Sequence, residues 1–136
     1  MRGEDRLIIL LRTLRARPVK GVFVFASVAN GKTPPGVVPQ MVFQEAEGTT
    51  LVLSRPAAID AGLEYEFPCR MITLDVHSSL DAVGFIARVA TALATHGIAV
   101  NPVSGFYHDH LFVPDDRVID ALDVLKRLAR EASAEG

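Results

Sequence analysis

The chain has 136 residues and a formal net charge of −2, with 49% apolar and 22% charged residues. This balance argues against wholesale disorder, and the length fits one compact domain or two small ones that share a core. The slightly acidic charge gives no reason to expect a nucleic acid or an anionic membrane as a partner.

The first twenty residues are a local exception to this charge balance. Glu4 and Asp5 are outnumbered there by basic residues: Arg2, Arg6, Arg12, Arg15, Arg17 and Lys20. We interpret this cluster as the solvated face of a helix.

Two features of the sequence bear on the cellular compartment: the chain has a single cysteine, and it lacks a long apolar run. Cys69 has no second cysteine to pair with, which excludes an internal disulfide. No apolar stretch approaches the roughly 18 residues needed to cross a bilayer. The short run "LIILL" is followed by arginines and not by a cleavage pattern. We therefore expect a cytoplasmic protein.

In chain order, the first half predicts a helix, three strands and a short helix. Leu7, Leu10, Leu11 and Leu14 have the spacing of an amphipathic helix that ends before Pro18. "VKGVFVFASV" is typical of a strand. "QMVFQEA" and "TTLVLS" predict a hairpin, and "RPAAIDAGL" allows about two helical turns.

The second half begins with the predicted strand "CRMITLDVH", in which Ile72, Leu74 and Val76 share one face. "SSLDAVGFIARVATALATHG" predicts a helix, with capping-box spacing at its start and Gly97 as its stop. Short strands in "IAVNPVSGF" and "HLFVP" then flank a corner at residues 107–109. A last helix follows two aspartates.

This element order, β-α-β-β-α, is the ferredoxin-like pattern without its last strand. The first half has the element order of a degenerate second copy. We therefore predict an α+β protein of two tandem ferredoxin-like halves, with antiparallel sheets and with helices on one face. The expected domains are 1–66 and 67–136.

The stretch "DAVGFIARVATALATHGIAVNPVSG" resembles the first β-α-β segment of ACT domains, which are small regulatory modules that bind amino acids. Asp81 and Gly84 match the residue pair that precedes the ACT helix, and Gly97-Ile98 match the pair that follows it. The longer string that ends in "GFYHDHLFVP" is similar to a small bacterial family of tandem ACT-like proteins with a "YHDH" signature. These resemble the regulatory ACT domains of amino-acid kinases, and "EGTTLVL" fits their N-terminal half.

Two features depart from the ACT pattern. Val83 stands where most ACT domains have proline, which predicts a less rigid loop. No fourth strand follows the last helix, so the edge of that sheet must be covered from elsewhere, and the first half is the obvious source.

The resemblance implies non-catalytic regulatory binding of an amino acid, without a cofactor, in a homodimer. The expected ligand-binding residues are His77, Ser78, Ser79, Asp81, Ala82, Val83, Gly84 and Asn101. A helix N-terminus suits a carboxylate, Gly84 allows a close backbone approach, and Asp81 can meet an ammonium group. In the alternative interpretation, Ser78 and Asp81 only cap the helix, and Asn101 forms a turn before a proline.

The "YHDH" signature, Tyr107, His108, Asp109 and His110, is open to two interpretations. In the structural one, a turn lets Asp109 accept backbone N–H bonds while a histidine bonds across to the first strand near His77. In the metal one, the two histidines chelate an ion with His77 as a third ligand. No HExxH or CxxC motif accompanies them.

Two rival functions follow from these alternatives. One is a metal-dependent enzyme built on His77, His108, Asp109 and His110. The other is a protein-interaction module with no small ligand. The sequence contains no nucleophile elbow, P-loop or dinucleotide fingerprint, so we do not expect an enzyme.

Overall fold

The computed structural model describes Gly3 and residues 6–134 of the chain. The elements in chain order are α1 (Leu7–Arg12), β1 (Ala16–Pro18), β2 (Phe23–Val28), β3 (Met41–Gln44), β4 (Thr49–Ser54), α2 (Arg55–Asp60), β5 (Glu66–Leu74), α3 (Phe85–Thr95), β6 (Asn101–Ser104), β7 (Asp109–Pro114) and α4 (Val118–Ala134). A 3-10 turn at Asp115–Arg117 leads into α4. The predicted α+β class is confirmed.

The chain forms two compact units, and β5 contains the boundary between them. The central unit is Gly21–Cys69. The terminal unit combines the described residues up to Lys20 with those from Arg70 onward. The division into family domains at 1–66 and 67–136 stays a prediction, since a compact unit and a family domain need not have the same limits.

The central unit has the antiparallel strand order β3-β4-β2, followed by the first part of β5. The predicted hairpin is confirmed, because β3 and β4 pair with Met41 opposite Val52. Val24, Leu51 and Leu53 are fully buried in the core of this unit. Helix α2 begins where the Ser54 hydroxyl accepts the Ala57 N–H, a common way to satisfy a helix N-terminus.

The sheet of the terminal unit is closed by a strand from the start of the chain. Within this unit β6, β7 and the second part of β5 are neighbours, and β1 pairs with β5 in antiparallel register. Ala16 lies opposite Leu74, and Pro18 lies opposite Ile72. The expectation that the first half covers the open edge is therefore confirmed. The strand that a ferredoxin-like fold has last comes first here.

The core of the terminal unit lies between this sheet and α1, α3 and α4. Ile72 and Leu74 face the helices, and Val76 packs at the margin, as the strand alternation predicts. The helices bury leucine and valine side chains against them: Leu10, Leu11, Val89, Leu93 and Leu125. The helices of this unit therefore share one face of its sheet, as predicted. No helix in the described part of the chain combines the length and the hydropathy of a membrane span.

Candidate functional site

Helix α3 begins later than the sequence predicts. The capping-box spacing of Ser78 and Asp81 places the start near Leu80, but the first helical residue is Phe85. Gly84 is the N-cap, in a left-handed conformation with φ 94°, and none of the described side chains caps the helix. The prediction that Ser78 and Asp81 cap α3 is wrong, because the Ser78 hydroxyl bonds to Asp109 and Gly84 is the N-cap.

The backbone N–H groups in the first turn of α3 are potential hydrogen-bond donors to a bound anion. The first amides of any helix lack an acceptor within the helix, and together they carry a partial positive charge. Since α3 has no side-chain cap within residues 6–134, these donors can bond to an anion. The carbonyl of Gly84 itself already accepts the Arg88 N–H at 2.9 Å, so the helix is regular from its start.

Asp109 is a buried carboxylate held by two serine hydroxyls. The Ser78 hydroxyl donates to Oδ2 at 3.0 Å, and the Ser104 hydroxyl donates to Oδ1 at 2.6 Å. Only 6% of Asp109 is exposed, and 8% of Ser78. Bonds to an ionised acceptor are among the stronger hydrogen bonds in proteins, so they fix the orientation of the carboxylate.

The position of Asp109 follows from the β6–β7 hairpin. Its turn is Gly105–His108, closed by the Gly105 N–H donating to the His108 carbonyl at 2.9 Å. Asp109 is therefore the first residue of β7, opposite Ser104. The expected turn at 107–109, with Asp109 accepting backbone N–H bonds, is wrong, because the pairing of the strands brings Asp109 into the sheet.

A cavity of about 210 Å³, which we call the Asp109 cavity, joins the carboxylate to the helix N-terminus. It is lined by the loop before α3, the first turn of α3 and the hairpin: Ser78, Ser79, Leu80, Ala82, Gly84, Phe85, Ile86, Ala87, Ser104 and Asp109. Pockets for drug-sized ligands span about 300–1,000 Å³, so this cavity suits a smaller molecule. One wall offers N–H donors and another a carboxylate.

Four of the predicted ligand-binding residues line the Asp109 cavity: Ser78, Ser79, Ala82 and Gly84. The other four, His77, Asp81, Val83 and Asn101, are not among its lining residues. Asp81 and Val83 are exposed in the loop, and the Asp81 N–H donates to the Ser79 hydroxyl at 3.1 Å. Asn101 is exposed at the start of β6, opposite Phe112.

The sequence interpretation missed Ser104, and it assigned Asp109 to a motif that borders the ligand site or, in the alternative, to a metal site. The predicted hairpin could have revealed the contact between these two residues, since a turn at 105–108 makes Ser104 and Asp109 cross-strand neighbours. Placing the turn two residues later hid this pair.

The two histidines of the signature are tied to the strand β5 and to the residues that follow it. His108 Nδ1 donates to the Val76 carbonyl at 3.3 Å, and its Nε2 lies 4.0 Å from the Asp75 carboxylate. His110 Nδ1 and the Thr73 hydroxyl are hydrogen bonded at 3.0 Å. The predicted bond from a histidine to the first strand of this half is confirmed.

Burial lowers the pKa of His110 below its ordinary value of 6.5. The neighbouring His108 and Arg17 also lower this pKa, and Asp109 opposes them. The neutral imidazole is therefore favoured in the folded protein.

His77 takes part in an aromatic contact and not in a ligand set with the other histidines. Its ring centroid lies 5.7 Å from that of Tyr107, which contacts Phe106 at 4.9 Å. Across the described residues, no group of three or more His, Cys, Asp or Glu side chains has the geometry to hold a metal ion. The metal-enzyme interpretation gains no support from this arrangement.

Comparison with known proteins places both parts of the chain in one family. Residues 2–70 match a family model described as ACT domain, and residues 66–127 match a second model with the same description. No curated protein matches the chain.

Solved structures give a similar picture of the fold. A Vibrio cholerae protein of unknown function, described as a possible transport protein, is 40% identical, with a TM-score of 0.83 over 90% of this chain and 95% of that one. An Agrobacterium tumefaciens protein is 18% identical, with a TM-score of 0.72 over 85% of this chain and 89% of that one. The regulatory subunit of aspartate kinase from Thermus thermophilus is 11% identical, with a TM-score of 0.66 over 87% of this chain and 97% of that one. The last two likenesses concern the fold alone.

Proposed function

The chain belongs to the ACT domain family and carries two such domains in tandem, and from this premise we propose that it is a non-catalytic regulatory protein that binds an α-amino acid. The observation that carries the proposal is the Asp109 cavity. Its walls combine the uncapped N-terminus of α3 with a buried carboxylate. A zwitterion presents the complementary pair of charges.

The ligand carboxylate accepts N–H bonds from the first turn of α3, where the partial positive charge of the helix is concentrated. Gly84 leaves room for this approach, because it has no side chain at the point where the loop enters the helix. The Ser79 hydroxyl is a further donor on the cavity wall.

The ligand ammonium group is held by Asp109. The bonds from Ser78 and Ser104 orient this carboxylate and leave each oxygen with a second lone pair for the ligand. Asp109 thus takes the role that the sequence pattern suggests for Asp81. Among the other predicted ligand residues, Ala82 stays a contact of the site, whereas His77, Val83 and Asn101 are not among the described residues that line the cavity.

Three further features belong to the proposal. The two ACT domains meet near residue 66, the assembly is a homodimer, as ACT modules commonly are, and the protein acts in the cytoplasm without a cofactor or metal. Light scattering on the purified protein measures its oligomeric state directly. A monomer at micromolar concentration would contradict the homodimer.

The function is tested with a thermal-shift screen of the twenty common amino acids, followed by calorimetric titration of each hit. A ligand that binds only the folded state raises the apparent stability. We expect a hit to bind Asp109→Asn about ten- to a hundredfold more weakly, because the buried charge pair is lost while the shape is kept.

The matched control is Asp81→Asn, which removes the same charge from an exposed position outside the cavity lining. It should retain binding within about twofold. An equal loss of affinity in Asp109→Asn and Asp81→Asn would mean that the ammonium group does not bind at Asp109. No shift with any amino acid would contradict the proposal and favour an interaction module.

A further inference from the structure

A second and larger cavity, of about 790 Å³, lies in the terminal unit between α4 and the segment that contains the end of α1 and β1. We call it the basic groove. Among the described residues, its walls carry four cationic side chains, Arg12, Arg15, Lys126 and Arg130, and one carboxylate, that of Asp123. A local excess of positive charge of this size is unexpected in a chain of net charge −2.

The described part of the chain supplies no ion-pair partner for these cations. Arg15, Lys126 and Arg130 form no salt bridge within it, although Asp123 precedes Lys126 by three positions on α4. Arg12 is half-buried and donates through Nε to the Ala132 carbonyl at 3.3 Å, which fixes its side chain against α4. The charge of the groove therefore remains available to an anion from outside the chain.

The floor of the groove is apolar. Leu14 and Leu125, only 6% and 1% exposed, form part of it, together with the half-buried Leu122 and Ala129. The basic side chains stand on both sides, from the α1–β1 segment and from α4. An apolar surface framed by cations fits a molecule with an apolar body and an acidic group.

The shape and composition of the groove select among anionic partners. Its volume lies within the range of about 300–1,000 Å³ that is typical of small-molecule pockets. None of the described residues that line it is aromatic, so no ring is present there on which a nucleobase could stack. A second copy of the same groove would be repelled by like charge. These features favour a small molecule over a nucleic acid or self-association through this face.

We propose that the basic groove is a binding site for a small anionic amphiphile, an apolar body that carries a carboxylate, sulfonate or phosphate group. Arg15, Lys126 and Arg130 meet the acidic group, Arg12 positions that side of the groove, and the leucine floor takes the apolar body. The described residues that line the groove and those that line the Asp109 cavity do not overlap, so the groove site does not depend on the proposed amino-acid site.

The test uses two fluorescent probes of closely similar apolar body, the anionic 8-anilinonaphthalene-1-sulfonate and the neutral N-phenyl-1-naphthylamine. The groove variant is Lys126→Glu/Arg130→Glu. Its control is Arg88→Glu/Arg127→Glu, with the same change in charge at exposed positions outside the groove lining. We expect the groove variant to bind the sulfonate about tenfold more weakly, and the control to bind it within about twofold of wild type.

The neutral probe separates charge recognition from damage to the fold. It should bind both variants within about threefold of wild type, and Lys126→Arg/Arg130→Lys should retain sulfonate binding because it preserves the charge. Equal weakening of both probes, or unchanged sulfonate binding in the groove variant, would overturn the proposal. If the wild type sediments with phosphatidylglycerol vesicles and the groove variant does not, the surface binds membranes. If single-stranded DNA binds more tightly than the sulfonate, the surface binds nucleic acid. Either result would also overturn the free-ligand site.

Discussion

Replacing Asp109 by alanine tests the buried contact on which the proposed amino-acid site depends. The change removes two hydrogen bonds to a carboxylate, at 3.0 Å from Ser78 and 2.6 Å from Ser104. Such bonds contribute about 1.5–3 kcal/mol each. Ser104 is exposed and can bond to water instead, whereas Ser78 is 8% exposed and loses its partner inside the protein.

The expected loss lies toward the lower end of the summed range. Relief from burying a charge offsets part of the lost bonding. We therefore expect the free energy of unfolding to fall by about 3 kcal/mol. For a chain of this length, that corresponds to a decrease in Tm of roughly 10–15 °C.

The assay is urea unfolding followed by circular dichroism, with the m-value as a check that the unfolded states are comparable. Ser78→Ala should cost more than Ser104→Ala, because the Ser78 bond is shielded from water. The double variant Ser78→Ala/Asp109→Ala should cost less than the sum of the two single changes, since both remove the same contact. A free energy of unfolding for Asp109→Ala within about 0.5 kcal/mol of wild type, or a reversed order of the two serine variants, would contradict a stabilising role of these bonds.

Two further predictions concern His110 and Gly84. The pKa of His110 is lowered below 6.5 in the folded protein, so the unfolded chain takes up the His110 proton at a higher pH than the folded chain does. The free energy of unfolding should therefore be greatest above pH 6.5 and fall as the pH decreases through and below that value. Urea unfolding at pH 7.5 and 5.5 should show a smaller loss in His110→Gln, and an equal loss would contradict the assignment. Gly84→Ala should lower the free energy of unfolding by about 1–2 kcal/mol, because an L side chain is strained at a φ of 94°. Crowding does not add to this cost, since the nearest side-chain atom, of Leu7, lies 3.5 Å from the added carbon. Gly84→Asn should cost less in the same assay, since asparagine tolerates this conformation and suits a helix N-cap, and equal stability of the alanine variant would argue against a left-handed N-cap.

The fold class could be predicted from the sequence because its signals are local. Ile72, Leu74 and Val76 alternate in the sequence with the polar residues Thr73 and Asp75, and this period of two already identifies the face of β5 that meets the helices. The leucines of α1 repeat at the helical period, and Gly97 ends α3 with a left-handed φ of 68°. The order of these elements, with the ACT-like segment, was sufficient to identify the family.

The start of α3 was mispredicted from an equally local signal. The spacing of Ser78 and Asp81 satisfies a capping box, yet Ser78 is engaged by Asp109, 31 residues later in the chain. A side chain that finds a buried charged partner does not remain available to cap a helix. Gly84 takes that role, because its left-handed conformation allows the loop to turn directly into α3.

The contacts that build the candidate site depend on the register of the hairpin and on the packing of distant elements. Which residues meet across β6 and β7 depends on register, and a shift of the turn by two residues replaces the partner of Asp109. The pairing of β1 with β5 likewise joins residues more than fifty positions apart, for which one sequence carries no local pattern. Local periodicity therefore determined which elements form and which faces they bury, whereas the packing of distant elements determined that a carboxylate and a helix N-terminus line one cavity.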